Sequence, residues 1–150
     1  MRKSLIPFLI VLFVACSSNN EEKDFTEANE TEILEYINAN NLNAQKSATG
    51  LYYVIDEVGS GDNPNASSNV TVAYRGYFTN GNVFDESGAE GISFNLNQVI
   101  AGWTEGITYF KEGGSGVLLI PSRLAYGNAG RSGIPGGAVL VFDIELLAIN

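Results

Sequence analysis

From Gly50 onward the apolar residues come in short runs separated by turn-forming residues, and the period inside the runs is that of strands. Residues 51–58 are rich in β-formers and end in Gly59-Ser60-Gly61-Asp62-Asn63-Pro64. Val70-Thr71-Val72-Ala73-Tyr74 alternates between apolar and polar or small positions. Asn80-Gly81, between Tyr77-Phe78 and Val83-Phe84, predicts a tight hairpin. Residues 93–96 read as a further strand, and 116–120 and 139–149 as two strongly apolar ones. In 98–109 the period changes: Val99, Trp103, Ile107 and Phe110 fall near helical spacing, which predicts one helix. The expectation is an α+β domain, an antiparallel sheet with a helix packed across it.

The first 49 residues follow other patterns. Arg2 and Lys3 precede an apolar run over 5–15 that is too short to span a bilayer comfortably, and the run ends in Phe13-Val14-Ala15-Cys16. This resembles a bacterial lipoprotein signal over residues 1–15, whose cleavage leaves Cys16 first and lipidated. Such signals usually carry Leu three residues before the cysteine; here Phe13 stands there and Leu12 one earlier. A plain secretory signal or a short anchor is the competing reading. Residues 16–46 form a polar tether and a short amphipathic helix over 26–40, with Ile33, Leu34 and Ile37 on one face. Thr26 or Asn29 is the candidate cap and Asn40-Asn41 the stop. A spacer helix is the expectation, with packing on the domain or on a second copy as alternatives. Residues 43–49 read as a linker.

Composition narrows the chemistry. The 150 residues carry a net charge of −9, and loss of Arg2 and Lys3 leaves 6 basic against 17 acidic residues, or −11. There is no basic stripe, so nucleic acid is not an expected partner. The chain has no histidine, the commonest general base and metal ligand, and its single cysteine excludes an internal disulfide. Neither a metal nor a cofactor is expected.

The stretch Val99-Ile100-Ala101-Gly102-Trp103-Thr104-Glu105-Gly106 holds the one tryptophan, between two glycines. Its ring suits either the floor of an apolar pocket or ordinary core. Around it stand Val72-Ala73-Tyr74-Arg75-Gly76, Gly81-Asn82-Val83-Phe84-Asp85-Glu86-Ser87, Leu124-Ala125-Tyr126-Gly127 and Phe142-Asp143-Ile144-Glu145-Leu146-Leu147. With these five motifs in order, residues 47–150 resemble an FKBP-type peptidyl-prolyl cis-trans isomerase domain. The resemblance implies a twisted antiparallel β-sheet wrapped around one short α-helix, with a pocket between them. It implies Trp103 as the floor and Tyr74, Phe84, Val99, Ile100 and Phe142 as walls, with Phe94 and Ile134 at the rim. It also implies that Tyr126 offers its hydroxyl, and Ile100 its backbone N–H, to a substrate carbonyl, and that the Tyr74 hydroxyl holds Asp85 at the edge. Tyr74, Phe84, Asp85, Trp103, Tyr126 and Phe142 would be the catalytic set, and Phe94, Val99, Ile100 and Ile134 would bind substrate. Asp85 has a plainer reading as a turn cap, and Arg131 and Ser132 are expected in solvent.

The implied reaction is prolyl isomerisation of exported or envelope proteins, with proline-containing polypeptides as substrates, FK506-like macrolides as inhibitors and Cys16 as the membrane anchor. The acidic Glu21-Glu22-Lys23-Asp24 resembles tethers that direct lipoproteins outward, so the expected place is the cell envelope, at the outer membrane. The alternative is a non-catalytic module that grips proline segments in an envelope complex. One departure bears on the choice. The family often has an arginine five residues after the aspartate, and here that residue is Glu90.

Overall fold

In the computed structural model, which describes residues 22–150, a single antiparallel sheet carries a helix on each face. Helix α1 (Thr26–Ala39) leads into β1 (Gln45–Lys46), β2 (Tyr52–Glu57) and the long β3 (Asn69–Tyr77). Strands β4 (Val83–Glu86) and β5 (Ile92–Asn95) precede helix α2 (Ala101–Gly106), then β6 (Ser115–Ile120) and β7 (Leu140–Ile149). The sheet order is β1-β2-β6-β7-β3-β4, and β5 also pairs with β3. The expected α+β fold is what the structure shows. Cys16 and the apolar run before it lie outside the described residues. No helix among the described residues is long and apolar enough to cross a membrane.

Alternation along the central strands builds two cores. Leu118 and Ile120 of β6, with Leu140, Phe142, Ile144 and Leu146 of β7, share one core with Trp103 and Ile107. The intervening Leu119 and Val141, with Val139, meet Ile33 and Tyr52 in the other. Strands covered on both faces need apolar residues at every position, which is why Leu118-Leu119-Ile120 and Val139-Leu140-Val141-Phe142 are unbroken runs. The Asn80-Gly81 hairpin forms as expected: Gly81 takes φ +90°, and the Phe78 N–H donates to the Asn82 carbonyl at 3.0 Å.

Helix α1 is not a spacer. Ile33 is fully buried against the sheet. The Glu30 carboxylate accepts from Lys46 Nζ at 2.7 Å and from the Tyr52 hydroxyl at 2.6 Å. The expected linker over 43–49 accordingly contributes β1, whose Gln45 and Lys46 pair with Tyr53 and Tyr52. Neither candidate caps the helix: Asp24 Oδ1 accepts the Thr26 N–H at 2.9 Å, and the Asn29 side chain turns inward.

The expected helix over 98–109 is shorter in the structure. Two 3-10 turns, Leu96–Gln98 and Ile107–Tyr109, flank the six residues of α2. Val99 and Ile100 are extended, and the Asn95 side chain caps the preceding turn by accepting the Asn97 N–H at 3.0 Å. What α2 lacks in length it makes up in proximity. A Cβ on Gly102 would stand 2.5 Å from Ile120 Cγ2, and one on Gly106 2.7 Å from Leu118 Cδ1. No side chain fits there, so the helix backbone lies directly on the sheet. Gly102→Ala, which is favourable for the helix itself, is expected to lower stability by about 1–3 kcal/mol through overpacking, read as a lower midpoint in urea unfolding.

Candidate functional site

The short α2 leaves a cavity of about 1030 Å³ between itself and the strands that curl past it. Trp103, 5% exposed, closes the bottom. Its ring centre lies 4.8 Å from Tyr74 and 5.1 Å from Phe142, both edge-on, and 5.3 Å from Phe94. Phe84 meets Phe142 edge-on at 5.5 Å, and Phe78 stands 5.0 Å from Phe84. Edge-to-face packing points the positive ring edges at negative ring faces, so the cluster is cohesive as well as apolar. The Trp103 indole N–H is buried among these rings and meets no acceptor among the described residues.

The strand period places these rings. Tyr74, Gly76 and Phe78 are alternate residues of one chain stretch, and β3 pairs Gly76 with Asp85 on one side and Phe142 on the other. A Cβ on Gly76 would stand 2.7 Å from Phe142 Cε1 and 2.8 Å from Phe84 Cε2. The missing side chain is the space in which the two phenyl rings meet. Ser87 fastens the end of β4: its hydroxyl accepts the Tyr74 N–H at 2.9 Å, and its own N–H donates to the Tyr74 carbonyl at 3.0 Å.

Polar groups stand at the rim. The Tyr74 hydroxyl donates to Asp85 Oδ2 at 2.7 Å. Burial of the phenol, and then that bond to a carboxylate, push the Tyr74 pKa well above the ordinary tyrosine range. Asp85 forms no salt bridge among the described residues, and Glu90 is exposed in the turn closed by the Gly91 N–H on the Gly88 carbonyl. The Ile100 carbonyl accepts the Trp103 and Thr104 N–H groups at 2.9 and 3.1 Å, while the Ile100 N–H precedes α2 and lies outside its hydrogen-bond ladder. Tyr126 sits on the loop between β6 and β7. Arg131 Nη1 donates to the Tyr126 oxygen at 3.0 Å, with the guanidinium 5.0 Å from the ring centre. A hydroxyl whose oxygen already accepts from a cation keeps its own proton free to donate elsewhere.

All ten residues expected at the site line this one cavity: Tyr74, Phe84, Asp85, Phe94, Val99, Ile100, Trp103, Tyr126, Ile134 and Phe142. Phe78, Val83, Ile92, Gln98, Arg131 and Ser132 line it too, without having been expected. The two-residue step from Tyr74 through Gly76 was the signal for Phe78. Arg131 is exposed as expected, yet it also rests on Tyr126. A flexible side chain on a loop carries no periodic signal.

Residues 61–147 match the family model described as FKBP-type peptidyl-prolyl cis-trans isomerase. The chain belongs to that family. It is 45% identical over 133 residues to the FKBP-type peptidyl-prolyl cis-trans isomerase FkpA of Escherichia coli K12, covering 86% of this chain and 49% of the relative. The similarity to the protein of that name from Aeromonas hydrophila is 43% over 133 residues, with the same coverage. The chain thus spans about half the length of the curated relatives it matches. Among solved structures, the crystal structure of FkpA from Escherichia coli is similar with a TM-score of 0.75 at 41% identity, over 86% of this chain and 62% of that one. A peptidyl-prolyl cis-trans isomerase from Pseudomonas syringae is similar with a TM-score of 0.72 at 32% identity, over 83% and 96%. In this FKBP-type domain the aromatic cluster rests on Gly76. Gly76→Ala is expected to displace Phe84, and the environment change at Phe142 and Trp103 should shift the tryptophan emission maximum. Because Tyr74 keeps its proton well above the ordinary tyrosine pKa of about 10, Tyr74→Phe should leave the pH dependence of that emission unchanged between about pH 9 and 11, where an ordinary phenol beside Trp103 would ionise.

Proposed function

We propose that the chain accelerates cis-trans isomerisation of X-Pro bonds in exported or envelope polypeptides. The observation that carries this reading is the aromatic-floored cavity with a hydroxyl donor at its rim, where the one lining carboxylate, Asp85, is engaged by the Tyr74 hydroxyl instead of standing as a free nucleophile or base. Rotation about an X-Pro bond needs neither. Its barrier of roughly 18–20 kcal/mol is amide resonance. A catalyst has to bind the twisted amide better than either planar form. The twisted amide has lost resonance and its carbonyl is less polar, so the rings of Trp103, Phe84 and Phe142 suit it better than water does. Tyr126, with its oxygen held by Arg131, and the Ile100 N–H fix the flanking chain. Asp85 orients Tyr74, which packs edge-on to Trp103. An FK506-like macrolide, apolar and of cavity size, is the expected inhibitor.

The anchor belongs to the same proposal. Residues 1–15 would be removed and Cys16 lipidated, holding residues 47–150, with α1 and its tether over 16–46, at the outer membrane. Several acyl chains on one cysteine bind a bilayer stably where a single chain does not. Labelling with a radioactive fatty acid should mark the wild type and not Cys16→Ser.

Asp85, which forms no salt bridge among the described residues, and the acidic Glu90 favour one second reading, a module that holds proline segments without turning them. A single assay separates the two. Isomerisation of a short X-Pro peptide should be catalysed and should be inhibited by FK506. Asp85→Val strands the Tyr74 hydroxyl, and Phe142→Tyr places a hydroxyl among apolar rings. Each change disturbs the ring surface that would favour the twisted amide, and a loss of about 1.4 kcal/mol of transition-state stabilisation lowers kcat/KM roughly tenfold in either variant. Binding of the peptide without any catalysis, across several residues before proline, would establish the holding module instead.

A further inference from the structure

Helix α1 is tied to the loop beside the pocket through one buried side chain. Asn29 is 3% exposed and lies outside the 61–147 family match. Its Nδ2 donates to the Gly137 carbonyl at 2.9 Å, and its Oδ1 accepts from the Ser122 N–H at 2.8 Å and from the Ser122 hydroxyl at 2.7 Å. Ser122 and Gly137 are the two ends of the loop that carries Tyr126 and Ile134. Within the loop, the Gly137 N–H donates to the Gly127 carbonyl at 2.9 Å, and the Gly127 N–H donates to the Ser122 carbonyl at 2.8 Å. The four residues Asn29, Gly137, Gly127 and Ser122 therefore close a ring of hydrogen bonds. Gly127 is the residue after Tyr126, and Asn29 is the one member that comes from outside the loop. Phe25, the residue just before α1, covers the same place. Gly137 takes φ +77°, and a Cβ on it would stand 2.2 Å from the Phe25 ring. Beyond Asn29, the Glu32 carboxylate accepts from the Thr79 hydroxyl, and the neighbouring Phe78 also lines the cavity.

We propose that α1 is a positioning element of the pocket: Asn29 completes the ring that fixes the direction of Tyr126, so docking of the helix and affinity for a prolyl substrate are coupled. This rests on the isomerase reading for its kinetic consequence and on the ring alone for its structural one. A buried amide that satisfies both ends of a loop specifies one loop conformation, because each group left without it is an unpaired buried polar group.

The test compares Asn29→Ala with Ile33→Val, which loosens the same helix without touching the ring, in isomerase assays far below the unfolding midpoint. Asn29→Ala should raise KM about fivefold and change kcat by less than about twofold, in the range of positioning effects at a distance. Ile33→Val should leave KM unchanged. Native-state hydrogen exchange should show Gly127 and Gly137 amides opening faster in Asn29→Ala, by a factor larger than the change at Leu118 in β6. If Asn29→Ala does not fold, Asn29→Asp keeps the acceptor for Ser122 and removes the donor to Gly137, and the same comparison applies. Unchanged KM, with Gly127 and Gly137 exchanging in step with Leu118, would overturn the proposal and leave Asn29 a purely structural residue. Should the wild type catalyse nothing, the isomerase reading falls, and the exchange comparison still decides whether the ring depends on Asn29.

Discussion

The distance between α2 and the sheet is the constraint on which the rest of the structure depends. A six-residue helix has too little surface to hold itself in place, and its stability comes from what it packs on. Gly102 and Gly106 let its backbone touch Ile120 and Leu118, and Trp103, between them, is pressed down to form a floor rather than standing up as a wall. Raise the helix by one methyl group and the floor rises with it. The rings of Tyr74, Phe94 and Phe142 are positioned against that floor, and Gly76 makes the matching concession on the sheet side. Three absent side chains thus determine the shape of a cavity lined by seven aromatic side chains.

Such a site asks little of acid-base chemistry. On the isomerase reading proposed above, its work is to exclude water around a bond whose polarity falls as it twists, and to hold the chain on either side still. The polar groups are accordingly at the rim, and each of the two tyrosine hydroxyls has a charged partner, Asp85 for Tyr74 and Arg131 for Tyr126. The partners differ in sign. Tyr74 donates to a carboxylate and is fixed, whereas Tyr126 accepts from a cation and leaves its own proton free to donate.

Much of this was legible from residue order. Period-two alternation in β3 and the Asn80-Gly81 turn placed the hairpin, and the unbroken apolar runs marked β6 and β7. The family motifs brought all ten site positions to one cavity. Three things escaped, for separate physical reasons. The run Val139-Leu140-Val141-Phe142 already required cover on both faces, but a strand pattern does not say which segment supplies it. Helix α1 supplies it with little more than Ile33, and its decisive group is a polar one, Asn29, whose partners lie 93 and 108 residues away. Separation of that order leaves no trace in local periodicity. The length of α2 was overread because Val99, Ile107 and Phe110 keep near-helical spacing while the backbone leaves the α-helix at both ends.

The sheet order has a consequence for how the chain folds. Strand β7 is not an edge strand but the bridge between β6 and β3, and it contributes to both cores. Neither the surface under α1 nor the cavity wall at Phe142 exists before it arrives. Most of its pairing is with β3, some seventy residues earlier, so closure waits on a long-range step. The seat of α1 and the cavity wall are therefore gained in one event and lost in one event, so a fault that loosens β7 empties both faces of the sheet together.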